Sequence, residues 1–237
     1  KGYRIADPLG KTGNTLEAYL RLEATTSSLY RDFTRKAAHL FPAVSIRFVS
    51  TPVACLYALG MVFHTDQNFL LVDVDAEVSD ISFVADGVLE RVLTMPLGSG
   101  LFLREVAELL HIPLPDAAFM VRRYAEQSLE ENRMRQITPL ISSFQKMWQT
   151  RLASILEHYA KDQEIPPRIL FTGSGVLPFF KESFTEDFLH ALSFTKQASV
   201  SLLSPKLLDA HFTKHQLNSP SDMALACLIL LCAQGVL

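Results

Sequence analysis

Apolar positions along the chain follow two spacings. Apolar-rich runs at Phe69 to Val72, at Ile81 to Val84 and within Arg168 to Thr172 suit central strands buried on both faces, and the second of them ends at the turn pair Asp86-Gly87. Helical spacing takes over from Ser27 to Phe41, from Leu101 to Leu110, and across Ser128 to Leu140 and Ile141 to Asp162. In the last two, Leu140, Phe144, Met147, Trp148, Leu152 and Leu156 share a face with charges opposite, which predicts packing onto a sheet. Pro139 is expected at a helix start or bend, and Pro166-Pro167 stops the second helix. Val44 to Val49 reads as a strand leading through Ser50 into a helix. Strands are also expected at residues 3 to 7 and 14 to 24, and a helix from Pro178 to Phe188. Met223 to Ala233 is an apolar helix capped by Ser219-Pro-Ser-Asp222, too short for the roughly twenty residues a membrane span needs.

Composition sets bounds. With 237 residues, 49% of them hydrophobic, the chain can bury a substantial core as one unit or two small lobes. A net charge of −3 provides no electrostatic footprint for nucleic acid. Three scattered cysteines argue against a disulfide framework and fit a reducing cytoplasm, with Cys227 and Cys232 read as core thiols of the last helix. His211 and His215 have the spacing of a metal pair but no acidic third ligand, so a solvated helix face is the reading.

The chemistry concentrates in two turns. Between the first two strands, Asp73, Asp75, Glu77, Ser79 and Asp80 crowd carboxylates and hydroxyls around Ala76, which suits a phosphate-binding hairpin and equally an ordinary acidic one. Gly173-Ser174-Gly175 follows a strand and precedes the expected helix, an arrangement that lets backbone approach a nucleotide. A third turn, Pro96-Leu-Gly-Ser-Gly100, includes Gly98.

In order, these elements resemble the second domain of the actin-like ATPase superfamily, which includes actin, sugar kinases, heat-shock chaperone ATPases, FtsA, PilM and MreB. Tyr3 to Ala18, with its Asp7-Pro-Leu-Gly10 turn and Leu16-Glu17, is similar to a stretch of FtsA. Ser50 to Leu59 is similar to the strand-to-helix step before the FtsA and PilM hairpin. The resemblance implies an α/β, ribonuclease H-like domain with a partial SHS2-type inserted subdomain at 1–26. It further implies the remainder of a first domain at 27–66 and a second domain at 67–203, with a reduced helical outer subdomain at 124–165. A closing segment at 204–237 would return to the first domain. It also implies a nucleotide site at Asp73, Asp75, Ala76, Glu77, Ser79, Asp80, Gly98, Arg122, Gly173, Ser174 and Gly175. There Asp73 would hold magnesium through water and Asp80 would fix the turn by accepting backbone N–H bonds.

Several residues depart from the pattern. Asp75 stands where the family has glycine and Val78 where it has a hydroxyl. Phe119 and Arg122 replace the glutamate and lysine that reach ribose and adenine, and Leu103 lacks a hydroxyl. These changes imply weak or lost binding of ATP and magnesium. The chain opens on Lys1-Gly2 without methionine, so a fragment is expected, with the first phosphate loop upstream. The resulting expectation is a non-catalytic scaffold or assembly protein of a bacterial cytoplasm, in cell division or an envelope machine. It would self-associate or bind a cytoskeletal or envelope protein, meeting the membrane only through partners. The alternatives are an active ATPase whose first loop lies outside the chain and a PilM-like adaptor that captures a peptide.

Overall fold

The acidic hairpin forms where the apolar runs predict it. The computed structural model describes residues 9–15, 23–63, 67–177, 179–192, 194, 197–212 and 216–235. In it, β1 (Phe69–Val74) pairs antiparallel with β2 (Ser79–Ala85), placing Asp73 opposite Asp80 and Leu71 opposite Ser82. Asp86 and Gly87 then adopt φ of 50° and 71°, the positive pair that a tight two-residue hairpin turn requires. The chain reverses there into β3 (Val88–Met95), a strand that the apolar pattern does not announce. On the other side of β1, β4 (Arg168–Thr172) and then β5 (Ser199–Leu202) add in parallel, giving the order β3-β2-β1-β4-β5.

The helices are α1 (Ser27–Leu40), α2 (Thr51–Val62), α3 (Ser99–Leu110), α4 (Leu114–Ala125), α5 (Glu131–Tyr159), α6 (Glu186–Ala191) and α7 (Met223–Ala233). Strand alternation divides the sheet's side chains between two cores. Leu70, Val72, Ile81, Phe83, Ile169 and Phe171 face α3, α4 and α5, whereas Phe69, Leu71, Val84 and Leu170 face α2 and α7. Helix α5 buries Ile137, Ile141, Phe144, Trp148, Leu152, Leu156 and Tyr159 at steps of three and four residues. Each such side chain contributes about 1.5–3 kcal/mol of burial. That stripe tolerates Pro139, which lies exposed inside one continuous helix and denies the Arg135 carbonyl its N–H partner.

Some expectations change. Helix α5, which fills most of residues 124–165, packs its apolar stripe into the same core as the sheet. The two compact units divide between Phe48 and Val49, and α2 buries Ala54, Cys55, Ala58 and Leu59 in the sheet's second core. The 204–237 segment ends in α7, which packs on α2 and that same face. Val44 to Val49 is not a strand; no partner strand pairs with it among the described residues. The strand expected at 3–7 lies outside the described residues, and of the one at 14–24 the described ends, 14–15 and 23–24, are not strand. In place of a helix over 178–188 there is a 3-10 turn, Lys181–Ser183, and then α6, which starts where the Thr185 side chain accepts the Phe188 N–H. Cys232 is exposed, one step off the α7 face that buries Cys227. His211, itself exposed, ends a 3-10 turn, Pro205–His211, and His215 lies outside the described residues.

Candidate functional site

Three turns converge at the C-terminal end of β1: the β1–β2 tip at 75–78, the entry to α3 at 97–100, and the exit from β4 at 173–175. Backbone bonds join them. Ser99 N–H donates to the Asp75 carbonyl (3.0 Å), Gly100 N–H to that of Ala76 (2.6 Å) and Gly175 N–H to that of Val74 (2.8 Å). The approach is close enough to require glycine. A Cβ on Gly98 would stand 2.6 Å from the Ala76 carbonyl, and one on Gly173, whose φ is +113°, would stand 2.7 Å from Asp73 Oδ1.

Side chains tighten the same junction. Ser174 Oγ donates to Asp75 Oδ1 at 2.8 Å. Arg104 of α3 donates to both carboxylate oxygens of Glu77, at 2.7 and 3.1 Å, and this bond holds the Glu77 carboxyl below its ordinary range. Buried Ser79 donates to the Leu97 carbonyl at 2.7 Å, tying the hairpin to the α3 entry. Asp80 accepts from the Thr94 hydroxyl across the β2–β3 pair at 2.5 Å, not from turn N–H groups. The reason is register, since Asp80 and Thr94 are directly opposed on one face.

Asp73 is half-buried, on the face that looks toward α2 and α7, and has no hydrogen-bond donor among the described residues. Burial, then the charges of Asp75 and Asp80, push its carboxyl from 3.8 up to about 6. Cys55 of α2 senses this carboxylate. A hydrogen bond with Cys227, burial, and the charge on Asp73 together raise the Cys55 thiol well above its usual value.

The expected site residues therefore fall into two sets. Asp73, Asp75, Ala76, Glu77, Ser79, Asp80, Gly98, Gly173, Ser174 and Gly175 come together at one end of the sheet. Arg122 does not join them. It is exposed on α4, near a half-exposed Phe119 over which Arg123 lies at 6.0 Å. An apolar recess beside the third turn, lined by Phe171, Val176, Leu177, Phe180, Lys181 and Leu202, opens on the α5 side of the sheet, opposite the face of Asp73. Thr94, Arg104 and Thr172 are site neighbours that sequence reasoning missed. The Asp86-Gly87 turn was a usable signal for β3 and hence Thr94, whereas Arg104 has no local signal.

No protein-family model matches the chain, and no curated protein matches it. Solved structures do. The PilM-PilN type IV pilus biogenesis complex is similar at 20% identity and a TM-score of 0.62, over 85% of this chain and 57% of that one. MreB5 of Spiroplasma citri bound to ADP is similar at 10% identity and a TM-score of 0.58, over 88% and 66%. The same protein bound to AMPPNP gives 10% identity and 0.55, over 89% and 67%. This chain thus spans just over half the length of the PilM chain that it matches. With a meander of three antiparallel strands, two parallel strands beside it and helices on both faces, the chain has the actin-like fold.

Proposed function

We propose that the chain is a non-catalytic actin-like scaffold or assembly module of FtsA or PilM type, working in bacterial cell division or an envelope machine. The observation that carries this reading is the closed hairpin. The N–H groups of Ser99, Gly100 and Gly175 bind the hairpin's own carbonyls, and the Asp75 carboxylate is clasped by Ser174 at its tip. Those residues do not fit ATP. A phosphate oxygen about 4 Å from Asp75 would meet a repulsion of about 4 kcal/mol near a protein surface, roughly a thousandfold in affinity. Asp73 likewise faces two carboxylates and no donor.

Among the described residues no helix is long and apolar enough to cross a membrane. In this reading the protein works in the cytoplasm, reaching the inner membrane face through partners, and residues 1–26 belong to an inserted subdomain that contacts another copy or a cytoskeletal or envelope protein. Nucleotide in the MreB5 structures keeps a second reading in play, an ATPase whose first phosphate loop lies outside these residues. Calorimetry with ATP and magnesium separates the two. The scaffold reading expects a dissociation constant no better than high micromolar, and a sub-micromolar constant would sink it.

A further inference from the structure

Strand register lines up four polar residues across the sheet beside the turns. Thr94, Asp80, Asp73 and Thr172 are successive cross-strand partners on β3, β2, β1 and β4, and all four belong to the face toward α2 and α7. The row is satisfied at one end only. Thr94 donates to Asp80, but the Asp73 carboxylate has no donor, and the hydroxyl of fully buried Thr172 has no partner. Beside the row, Ser82 is also fully buried and its hydroxyl is likewise unpartnered. Buried hydroxyls without partners are uncommon in folded proteins and mark a place where a ligand or water completes the bonding. The nearby cation, Arg104, already binds both oxygens of Glu77.

We infer that this row binds a primary ammonium group, presented as a lysine side chain of a protein partner. An ammonium has three N–H donors and a point charge. Three acceptors are ready for it: the oxygens of Asp73 and Asp80 and the Thr172 hydroxyl. A guanidinium is a poorer match, because its planar fork suits one carboxylate met side-on rather than acceptors spread over three strands. Asp73 is half-buried rather than enclosed, and exposed Asp75 lies at the rim to draw a cation in, whereas the charge of Glu77 is already met by Arg104. The inference rests on the proposed reading that no nucleotide phosphate occupies this end of the sheet.

The test is an NMR titration of the whole chain with the capped tripeptide Ac-Gly-Lys-Gly-amide, beside its norleucine counterpart, methylammonium, magnesium chloride and magnesium-ATP. Saturable shifts confined to the amides of Asp73, Asp80, Thr172 and Gly173 are expected with the lysine peptide and absent with norleucine. Asp73→Asn should weaken that binding at least tenfold, and Thr172→Val, nearly isosteric and competent to fold, about threefold. Lysine peptide binding tighter than methylammonium supports a protein source for the ammonium; equal affinity overturns that source. Equal shifts with norleucine, unchanged affinity in both variants, or a response to magnesium alone overturns the site. No response to lysine or to magnesium-ATP removes this inference and leaves the scaffold reading standing, whereas sub-micromolar ATP without a lysine response removes both.

Discussion

Replacing Asp73 by asparagine should stabilise the protein, and more so at high pH. The groups facing this carboxyl are Asp80 directly opposite, Asp75 two residues on, Cys55 of α2, and the Thr172 hydroxyl; none is cationic. The carboxyl titrates at about 6 when folded against 3.8 ordinarily. The folded state therefore holds the proton more tightly, so stability from this group is whole below about pH 3.8 and is lost as pH rises through about 6. Integrating the linkage, ionised Asp73 costs about 3 kcal/mol at pH 8 and about half that at pH 5, as upper bounds. Asparagine keeps the shape and has no proton to lose. Urea unfolding of both proteins at pH 5, 6, 7 and 8 should show the variant's advantage growing by about 1.4 kcal/mol across the range. Parallel profiles, or an advantage that shrinks with pH, would refute the reasoning that burial and like charges load this residue.

Other expectations follow from the same contacts. Gly98→Ala should destabilise by about 1–3 kcal/mol in urea unfolding, because its Cβ would stand 2.6 Å from the Ala76 carbonyl and backbone must move. Trp148→Ala should cost about 3–5 kcal/mol, since the fully buried indole packs edge-on against Phe180 and Phe184 and its loss leaves a cavity in the core. Arg104→Gln, which breaks an exposed ion pair, should leave the melting temperature within a degree or two by calorimetry. Asp75→Gly should tighten magnesium-ATP binding in calorimetry if its charge is what excludes phosphate; unchanged affinity would place the exclusion in the bonded turns instead. Light scattering should show association that grows with concentration, and deletion of residues 1–26 should abolish it; a strict monomer at high concentration refutes that surface.

The apolar runs at Phe69 to Val72 and Ile81 to Val84 were legible because a strand buried on both faces admits little but aliphatic and aromatic residues, and Met223 to Ala233 because an uncharged segment of that length has few other homes. The stripe through Trp148 was legible for the same reason. What escaped depends on contacts distant in sequence. Val88 to Met95 carries Glu90 and Arg91 on an exposed edge, so its composition does not read as a strand, and only the Asp86-Gly87 backbone reveals the reversal. Val44 to Val49 has strand composition and no strand to pair with among the described residues, which leaves it without regular secondary structure. Pro139 argued for a helix start or bend on local grounds, and it lies inside one helix, where buried residues on both sides, Ile137 and Ile141, outweigh one lost hydrogen bond.

The site shows the same division in sharper form. Glycine at 98 and 173 reads in sequence as room for a phosphate, and the structure confirms that backbone approaches closely at both positions. The approaching group is the hairpin itself, whose carbonyls at Val74, Asp75 and Ala76 take the N–H groups of the glycine turns. A glycine reports that something comes near without saying what, so the motif is the same for a turn that holds a ligand and one that holds its neighbour. The residue that distinguishes them is Asp75. A carboxylate at the tip is repelled by phosphate and accepts from Ser174, and both effects favour the closed arrangement. Asp73 has no such compensation, because its flanking partners are a second carboxylate and a hydroxyl that does not reach it. Neutral asparagine in its place would relieve the repulsion, which is why that substitution is expected to stabilise the fold. Two buried, unpartnered hydroxyls lie close by, Thr172 beside Asp73 in the same row and Ser82 next to that row, so the unsatisfied polar groups of this end of the sheet gather around Asp73 rather than around the glycine turns that first draw attention to it.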